Sequence, residues 1–264
     1  MKINILKIVF VFCLGVLCSG NIFGQNDTLK IMSYNLRFGE LASMEQIGSY
    51  IKNEAPDVVL LQELDWKTYR KRAPKQHGVP MINVLASATE MFGIFGKAID
   101  YADGYYGIGI LSKYPIISSK RIFLPNPPPE KEQRVMLEVQ IELAGKNVVT
   151  VLCTHLEVSS AEKRQAQIDF INSYTESIKT PVILGGDFND TPESKEIAEG
   201  LSKWSHVSCN NYTYHTQNPT KKIDHICVYP KEAFKALEMQ IGKSVFSDHL
   251  PVISNLIIYN SIKF

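Results

Sequence analysis

The chain reads as a series of short apolar runs, most of them closing on a polar residue, separated by stretches in which apolar positions recur every three or four residues. Residues 29–35 (LKIMSYN) are the first such run and end on Asn35. Residues 44–53 then place Ile47, Tyr50 and Ile51 at helical spacing, and Pro56 closes that helix because its ring admits no further turn. Residues 57–63 (DVVLLQE) are continuously apolar up to Glu63, the mark of a strand covered on both faces. No clean period runs through residues 64–104, residues 106–111 (YGIGIL) predict another strand, and residues 125–129 a proline-rich loop.

The second half is more regular. Residues 134–143 alternate strictly, with Val135, Leu137, Val139, Ile141 and Leu143 on one face; residues 144–147 turn, and residues 148–155 (VVTVLCTH) return to end on His155. A hairpin here predicts a mixed rather than a purely parallel sheet. Residues 160–178 predict a helix with Ile168, Ile171, Tyr174 and Ile178 in one stripe and Ser160 as its N-cap. Residues 181–187 (PVILGGD) deliver Asp187, with Asn189 two positions on. A short helix over 194–201 follows, then strands over 223–228 and 251–258, the last preceded by FSDHL.

With 264 residues and 45% hydrophobic content the chain can bury a sizeable core, and one domain over residues 25–264 is the simplest count. The first 24 residues differ. Lys2 and Lys7 flank the start of an apolar run over 8–17, and small or polar residues follow, the pattern of a signal peptide cleaved near Gly24. Cys13 and Cys18 follow Phe12 and Leu17, where a lipidation signal would want a small residue, so a soluble exported protein, periplasmic or extracellular, is expected. Losing that segment removes two of the 28 basic residues and no acid, leaving 26 against 27 acidic ones. This balance does not call for a polyanionic partner, which a basic face would serve. Cys153, Cys209 and Cys227 remain and allow at most one disulfide; Cys153 and Cys227 lie in apolar runs and read as small buried hydrophobes. Lys67, Arg70, Lys71, Arg72 and Lys75 form either a solvated face or a substrate-facing loop. His77, His206 and His215 match no motif.

Nine polar residues gather at strand ends: Asn35, Glu63, Arg134, His155, Asp187, Asn189, Asp224, Asp248 and His249. Alone, Asp187 and Asn189 would equally well build a turn, since both side chains bond nearby backbone. Together the nine argue for a site with four carboxylates, two carboxamides, two imidazoles and one guanidinium, and no cysteine at ligand spacing. Such an oxygen-rich set suits Mg²⁺ or Mn²⁺, whereas zinc would want more nitrogen or sulfur. A hard cation beside imidazoles and an arginine can hold phosphate oxygens and direct water at phosphorus.

The ordered motifs SYN (33–35), LQE (61–63), TH (154–155), GDFN (186–189), ID (223–224) and SDH (247–249) resemble the endonuclease/exonuclease/phosphatase superfamily of metal-dependent phosphoesterases, over about residues 29–258. The resemblance implies an α/β fold, a four-layer α/β sandwich of two mixed β-sheets packed face to face with helices outside. It implies Glu63 as the principal Mg²⁺ ligand, with Asn35 and Asp248 completing the shell directly or through water. Asp187 would orient or deprotonate the attacking water, and Asn189 would hold a phosphate oxygen. His155 would bind the phosphate and protonate the leaving oxygen. His249, held by Asp224, would stabilise the pentavalent transition state, and Arg134 falls near the phosphate. Two departures, His225 for a common tyrosine and Ile108 for asparagine, are expected to alter the substrate pocket.

The substrate stays open. The chain lacks the SWCDR-like motif of phosphoinositide 5-phosphatases, the absent basic excess weighs against deoxyribonucleases and abasic-site endonucleases, and no membrane-inserting hairpin marks a sphingomyelinase-like phospholipase. The expectation is an exported Mg²⁺-dependent phosphoesterase, diesters first, acting as a monomer with no stable protein partner. A binding module that kept the fold and lost the chemistry is the alternative, and the complete residue set stands against it.

Overall fold

The computed structural model describes residues 26–259, so the expected signal peptide lies outside the described residues. The apolar runs become strands of two six-stranded sheets. The first holds β1 (Asp27–Asn35), β2 (Val58–Trp66), β3 (Phe92–Tyr101), β4 (Gly104–Ser112), β11 (Phe234–Ile241) and β12 (Val252–Ile258), in the order β11-β12-β1-β2-β4-β3. The second holds β5 (Ile116–Phe123), β6 (Val135–Glu142), β7 (Val148–His155), β8 (Val182–Asp187), β9 (Ser205–His206) and β10 (Asp224–Tyr229), in the order β5-β6-β7-β8-β10-β9.

Each sheet is built around one parallel pair, β1 with β2 and β7 with β8, and every other pairing is antiparallel. A parallel pair needs a crossover, and α1 (Met44–Glu54) and α3 (Ala161–Thr175) supply the two. Ser43 and Gln46 close a reciprocal capping box on α1, and Ala55 ends it in the left-handed region. Ser160 caps α3 by accepting from the Lys163 N–H.

Strand alternation sorts the side chains into layers. Ile31, Leu60, Val151 and Ile183 meet between the sheets, together with all five residues of the strictly alternating run, Val135 to Leu143. Met32, Leu61, Ile47 and Leu85 pack the first sheet against α1 and α2 (Met81–Thr89). Leu152, Leu184, Ile168 and Ile171 pack the second against α3, with the short α4 (Lys195–Ala198) beside it. The result is the expected four-layer α/β sandwich. Ile108 is a correction: it is buried between the sheets near Gly96 and Leu137, not in a pocket.

Gly186 is required where β8 meets β7. It has φ of +149°, and a Cβ there would stand 1.9 Å from the Thr154 carbonyl oxygen. We expect Gly186→Ala to cost about 2 kcal/mol or more, from strain and overpacking together, read as a fall in the urea midpoint; an unchanged midpoint would rule out the close approach. Cys153 and Cys227 are fully buried free thiols, and burial pushes both up to about 12. Of the three thiols described, only Cys209 should react with a thiol reagent in the native protein at neutral pH; prompt labelling of all three would contradict this packing.

Candidate active site

The carboxyl ends of the two parallel pairs meet at one edge of the sandwich. Register sets Asn35 beside Gln62 in the first pair and His155 beside Asp187 in the second. Glu63 follows Gln62 at a break in the β2–β4 register between Leu61 and Leu64, with φ of 55°. Such a bulge re-aims a side chain out of the ladder, here toward the second sheet.

Asn35 joins the halves. Its Nδ2 donates to Glu63 Oε1 at 3.1 Å and to Asp187 Oδ2 at 3.0 Å, while its Oδ1 accepts the Arg37 N–H at 3.0 Å. Asp187 Oδ1 accepts the Asn189 N–H at 2.9 Å, and Asn189 Nδ2 donates to the Leu156 carbonyl at 2.9 Å. Two imidazoles approach Asp187 Oδ2: His155 Nε2 at 3.5 Å and His249 Nε2 at 3.7 Å. His249 Nδ1 lies 3.0 Å from Asp224 Oδ2, a bond that fixes the ring. Arg134 is buried, bonds Glu132 through Nη1 at 3.0 Å, and leaves its Nε without a partner.

Environment separates the two histidines. Burial pushes His155 well below its ordinary value, and the charges of Arg134 and His249 add to the effect, so its imidazole is neutral. Burial opposes the charge on His249 as well, but Asp224 and Asp187 overcome it and hold that imidazole up at about 10. Burial raises Asp187 to about 7, with Asp224 adding and His249 opposing. Burial also raises Glu63, and the Asn35 N–H only partly offsets it.

Glu63, His155, Asp187, Asn189, Asp248 and His249 line a cavity of about 430 Å³, with Val158, Tyr214, Lys221 and Ile223 completing its wall. A larger surface hollow beside the β3–β4 hairpin contains none of the predicted residues. The Glu63–Asp248 side of the cavity offers oxygen donors only. That fits a hard divalent cation. Asn35 Oδ1 accepts the Arg37 N–H with one lone pair and keeps a second, while its Nδ2 orients Glu63. Asp187, Asp224 and His249 also cluster within 4.8 Å. His249 and Asp224 are already bonded to each other there, at 3.0 Å.

Several residues had no signal in the sequence. Arg37 pairs with both Asp248 and Glu40, and residues 37–39 hold φ of 45°, 43° and 66°, a left-handed turn that nothing in YNLRFG announces. Tyr214 and Lys221 come from a segment without periodicity. The basic run is partly neutralised: Arg70 bonds Asp65 at 2.8 Å between the rings of Phe38 and Tyr101, and Arg72 bonds Glu40, while Lys67, Lys71 and Lys75 are exposed. His225 is a further correction. It is fully buried, stacks on Phe188 and lies 2.9 Å from the Asp190 carbonyl, beneath the Asp187–Asp190 loop and outside the cavity. His77, His206 and His215 do not line the cavity either.

Known proteins resemble this chain along most of its length. The sequence model of the Endonuclease/Exonuclease/phosphatase family matches residues 32–249. The uncharacterized protein YbhP of Escherichia coli is 22% identical over 249 residues, spanning 88% of this chain and 97% of YbhP. A solved endonuclease/exonuclease/phosphatase from Bacteroides vulgatus has a TM-score of 0.72 at 19% identity, covering 88% of this chain and 99% of that one. A mannosyl-6-phosphatase from Bacteroides thetaiotaomicron has a TM-score of 0.65 at 16% identity, covering 87% and 100%. At these identities the structural likeness speaks to the fold.

The His249–Asp224 pair generates a test independent of activity. In chelator-treated protein, Asp224→Asn should drop the His249 titration, followed by imidazole NMR, from about 10 toward or below the ordinary 6.5, because the largest carboxylate contribution is lost. The same pair stabilises the wild-type fold fully below about pH 6.5, and that contribution fades as pH rises through about 10. A variant with an unmoved His249 titration would break the assignment.

Proposed function

This chain belongs to the endonuclease/exonuclease/phosphatase family, and from that premise we propose that it is an exported hydrolase of phosphoester bonds, preferring diesters and dependent on Mg²⁺ or Mn²⁺. The observation that carries the reading is the meeting of Asn35, His155 and His249 on one buried oxygen of Asp187, at the floor of an open cavity. The phosphatase named among its structural neighbours supports phosphoester chemistry. The cavity is larger than a phosphate group, which leaves room for both esterified groups of a diester. Export rests on the pattern of residues 1–24 alone.

Asp187 takes the proton of the attacking water. Its raised proton affinity makes it a stronger base than an ordinary carboxylate, and the N–H groups of Asn35 and Asn189 fix the direction in which it points. His249, an imidazolium clamped by Asp224, donates to a phosphoryl oxygen where negative charge grows in the transition state. His155 starts neutral and hydrogen-bonds the phosphate; an anionic ester beside it draws its proton affinity upward, as a donor to the leaving oxygen requires. Asn189 keeps one Nδ2 proton for a phosphate oxygen, and Arg134 brings a buried positive charge near the same place. Glu63 and Asp248 would hold the cation, which when bound polarises a phosphoryl oxygen and offsets charge on the leaving oxygen. The protein acts as a monomer in this proposal, with no stable protein partner.

Asp187→Asn keeps one acceptor oxygen for the two N–H donors that now reach Asp187 and cannot take a proton, so kcat should fall by at least about 10²- to 10⁴-fold, about 3–5 kcal/mol of transition-state stabilisation, with KM little changed. Glu63→Gln should instead raise the Mg²⁺ concentration needed for half-maximal rate. Chelation should abolish turnover of a model diester and added Mg²⁺ or Mn²⁺ should restore it. Turnover that survives exhaustive chelation would sink the metal dependence; near-normal turnover by a folded Asp187→Asn protein would sink the base.

A further inference from the structure

Two residues of the catalytic cavity take no part in the chemistry above: Tyr214 and Lys221. Both belong to a hairpin over residues 213–221, closed by the Thr213 and Tyr214 N–H groups donating to the Lys221 carbonyl at 2.7 and 3.0 Å. The hairpin is stitched to the segment that carries Asp248 and His249. Thr216 N–H donates to the Asp248 carbonyl and Leu250 N–H to the Thr213 carbonyl, each at 2.8 Å, and Thr216 Oγ1 reaches the Ser247 carbonyl at 2.8 Å. The Tyr214 ring packs on the His249 imidazole with centroids 4.9 Å apart. Lys221 is therefore held in register with the catalytic imidazole, not carried on an independent loop.

Its ammonium is also free. Among the described residues Lys221 has no ion-pair partner, whereas Arg37, Arg70, Arg72 and Arg164 all meet carboxylates. The reacting phosphate is already matched by His155, His249 and Arg134 deeper in the site. Lys221 lines the cavity while staying exposed to solvent, so its ammonium is accessible to an anionic group of the substrate that lies outside the buried floor. We propose that Lys221, positioned through Tyr214 and the hairpin, forms a subsite for a second phosphate on the substrate, beyond the ester being hydrolysed. A lysine serves such a group as a point charge, and charge-assisted bonds are the stronger class. The proposal rests on the phosphoester reading and narrows its substrate class to compounds that carry a phosphate in addition to the scissile one.

The test compares two substrates with the same scissile bond, thymidine 5′-(p-nitrophenyl phosphate) with and without a 3′-phosphate. Wild-type enzyme should favour the 3′-phosphorylated compound by about tenfold or more in kcat/KM. Lys221→Ala should bring that ratio close to one and Lys221→Arg should preserve most of it. Lys235→Ala, on the distant strand β11, should leave the ratio as it is. An absent preference in the wild type, or a preference that survives Lys221→Ala, overturns the subsite. Calorimetry separates this failure from failure of the catalytic reading. If no compound is hydrolysed, tighter binding of thymidine 3′,5′-bisphosphate than of thymidine 5′-phosphate, lost in Lys221→Ala, upholds the subsite alone; equal binding of the two removes it.

Discussion

The Asn35 carboxamide is the interaction on which the site depends. Each sheet brings one acid to the common edge, Glu63 from the first and Asp187 from the second, and the two Nδ2 protons of Asn35 are spent one on each. Without that bridge two partly or fully buried carboxyls would confront each other with less to hold them apart. Hydrogen bonds to charged groups are worth about 1.5–3 kcal/mol each, enough to fix both orientations. The amide is oriented in turn by the Arg37 N–H on its Oδ1, which exists only because residues 37–39 adopt a left-handed turn. Each such non-glycine residue costs on the order of 1 kcal/mol or more, offset by the pairing of the Arg37 side chain with Asp248 and Glu40.

The same logic divides the labour of the histidines. His155 and His249 stand at nearly equal distance from Asp187 Oδ2, yet one is neutral and the other charged. What differs is what lies behind each ring: positive charge from Arg134 near His155, and the carboxylate of Asp224 against His249. Two copies of one side chain thereby take opposite charge states. Behind the loop that carries Asn189, buried Arg164 bonds Glu196, Asp190 and the carbonyls of Glu157 and Val158, tying the segments after β7 and β8 together. The candidate side chains thus stand on anchored ends beneath the cavity.

How far the sequence shows this follows from burial. The central strands are covered on both faces or alternate strictly, so their periods and polar last residues could be read directly, and all nine candidate residues stand in or beside the site. Edge strands carry no such signal. β5 is exposed along most of its length, half of β11 is exposed, and the β3–β4 hairpin turns on Ala102 and Asp103 at positive φ, with Gly104 only opening β4 after them. Arg37 was illegible because its role depends on backbone dihedrals. The resemblance marks His225 and Ile108 as departures expected to alter the substrate pocket, whereas strand alternation turns both into packed layers.

Because the site is divided between two sheets, its geometry is only as exact as their packing. Gly185 precedes Gly186 on β8, and a Cβ there would stand 2.6 Å from Leu60 Cδ1 on β2. The missing side chain lets β8 approach β2 closely enough for Asn35 on β1 to reach Asp187 at 3.0 Å. Interiors packed to crystal-like density do not absorb an added methyl without displacement, and a shift of about 1 Å in a catalytic group can cost on the order of 10²-fold in rate. The two glycines before Asp187 therefore act at different interfaces: Gly186 admits the carbonyl of the neighbouring strand within its sheet, and Gly185 admits the facing sheet. The core beneath the cavity is in this sense part of the candidate site, since it sets the distance across which one amide must bridge two acids.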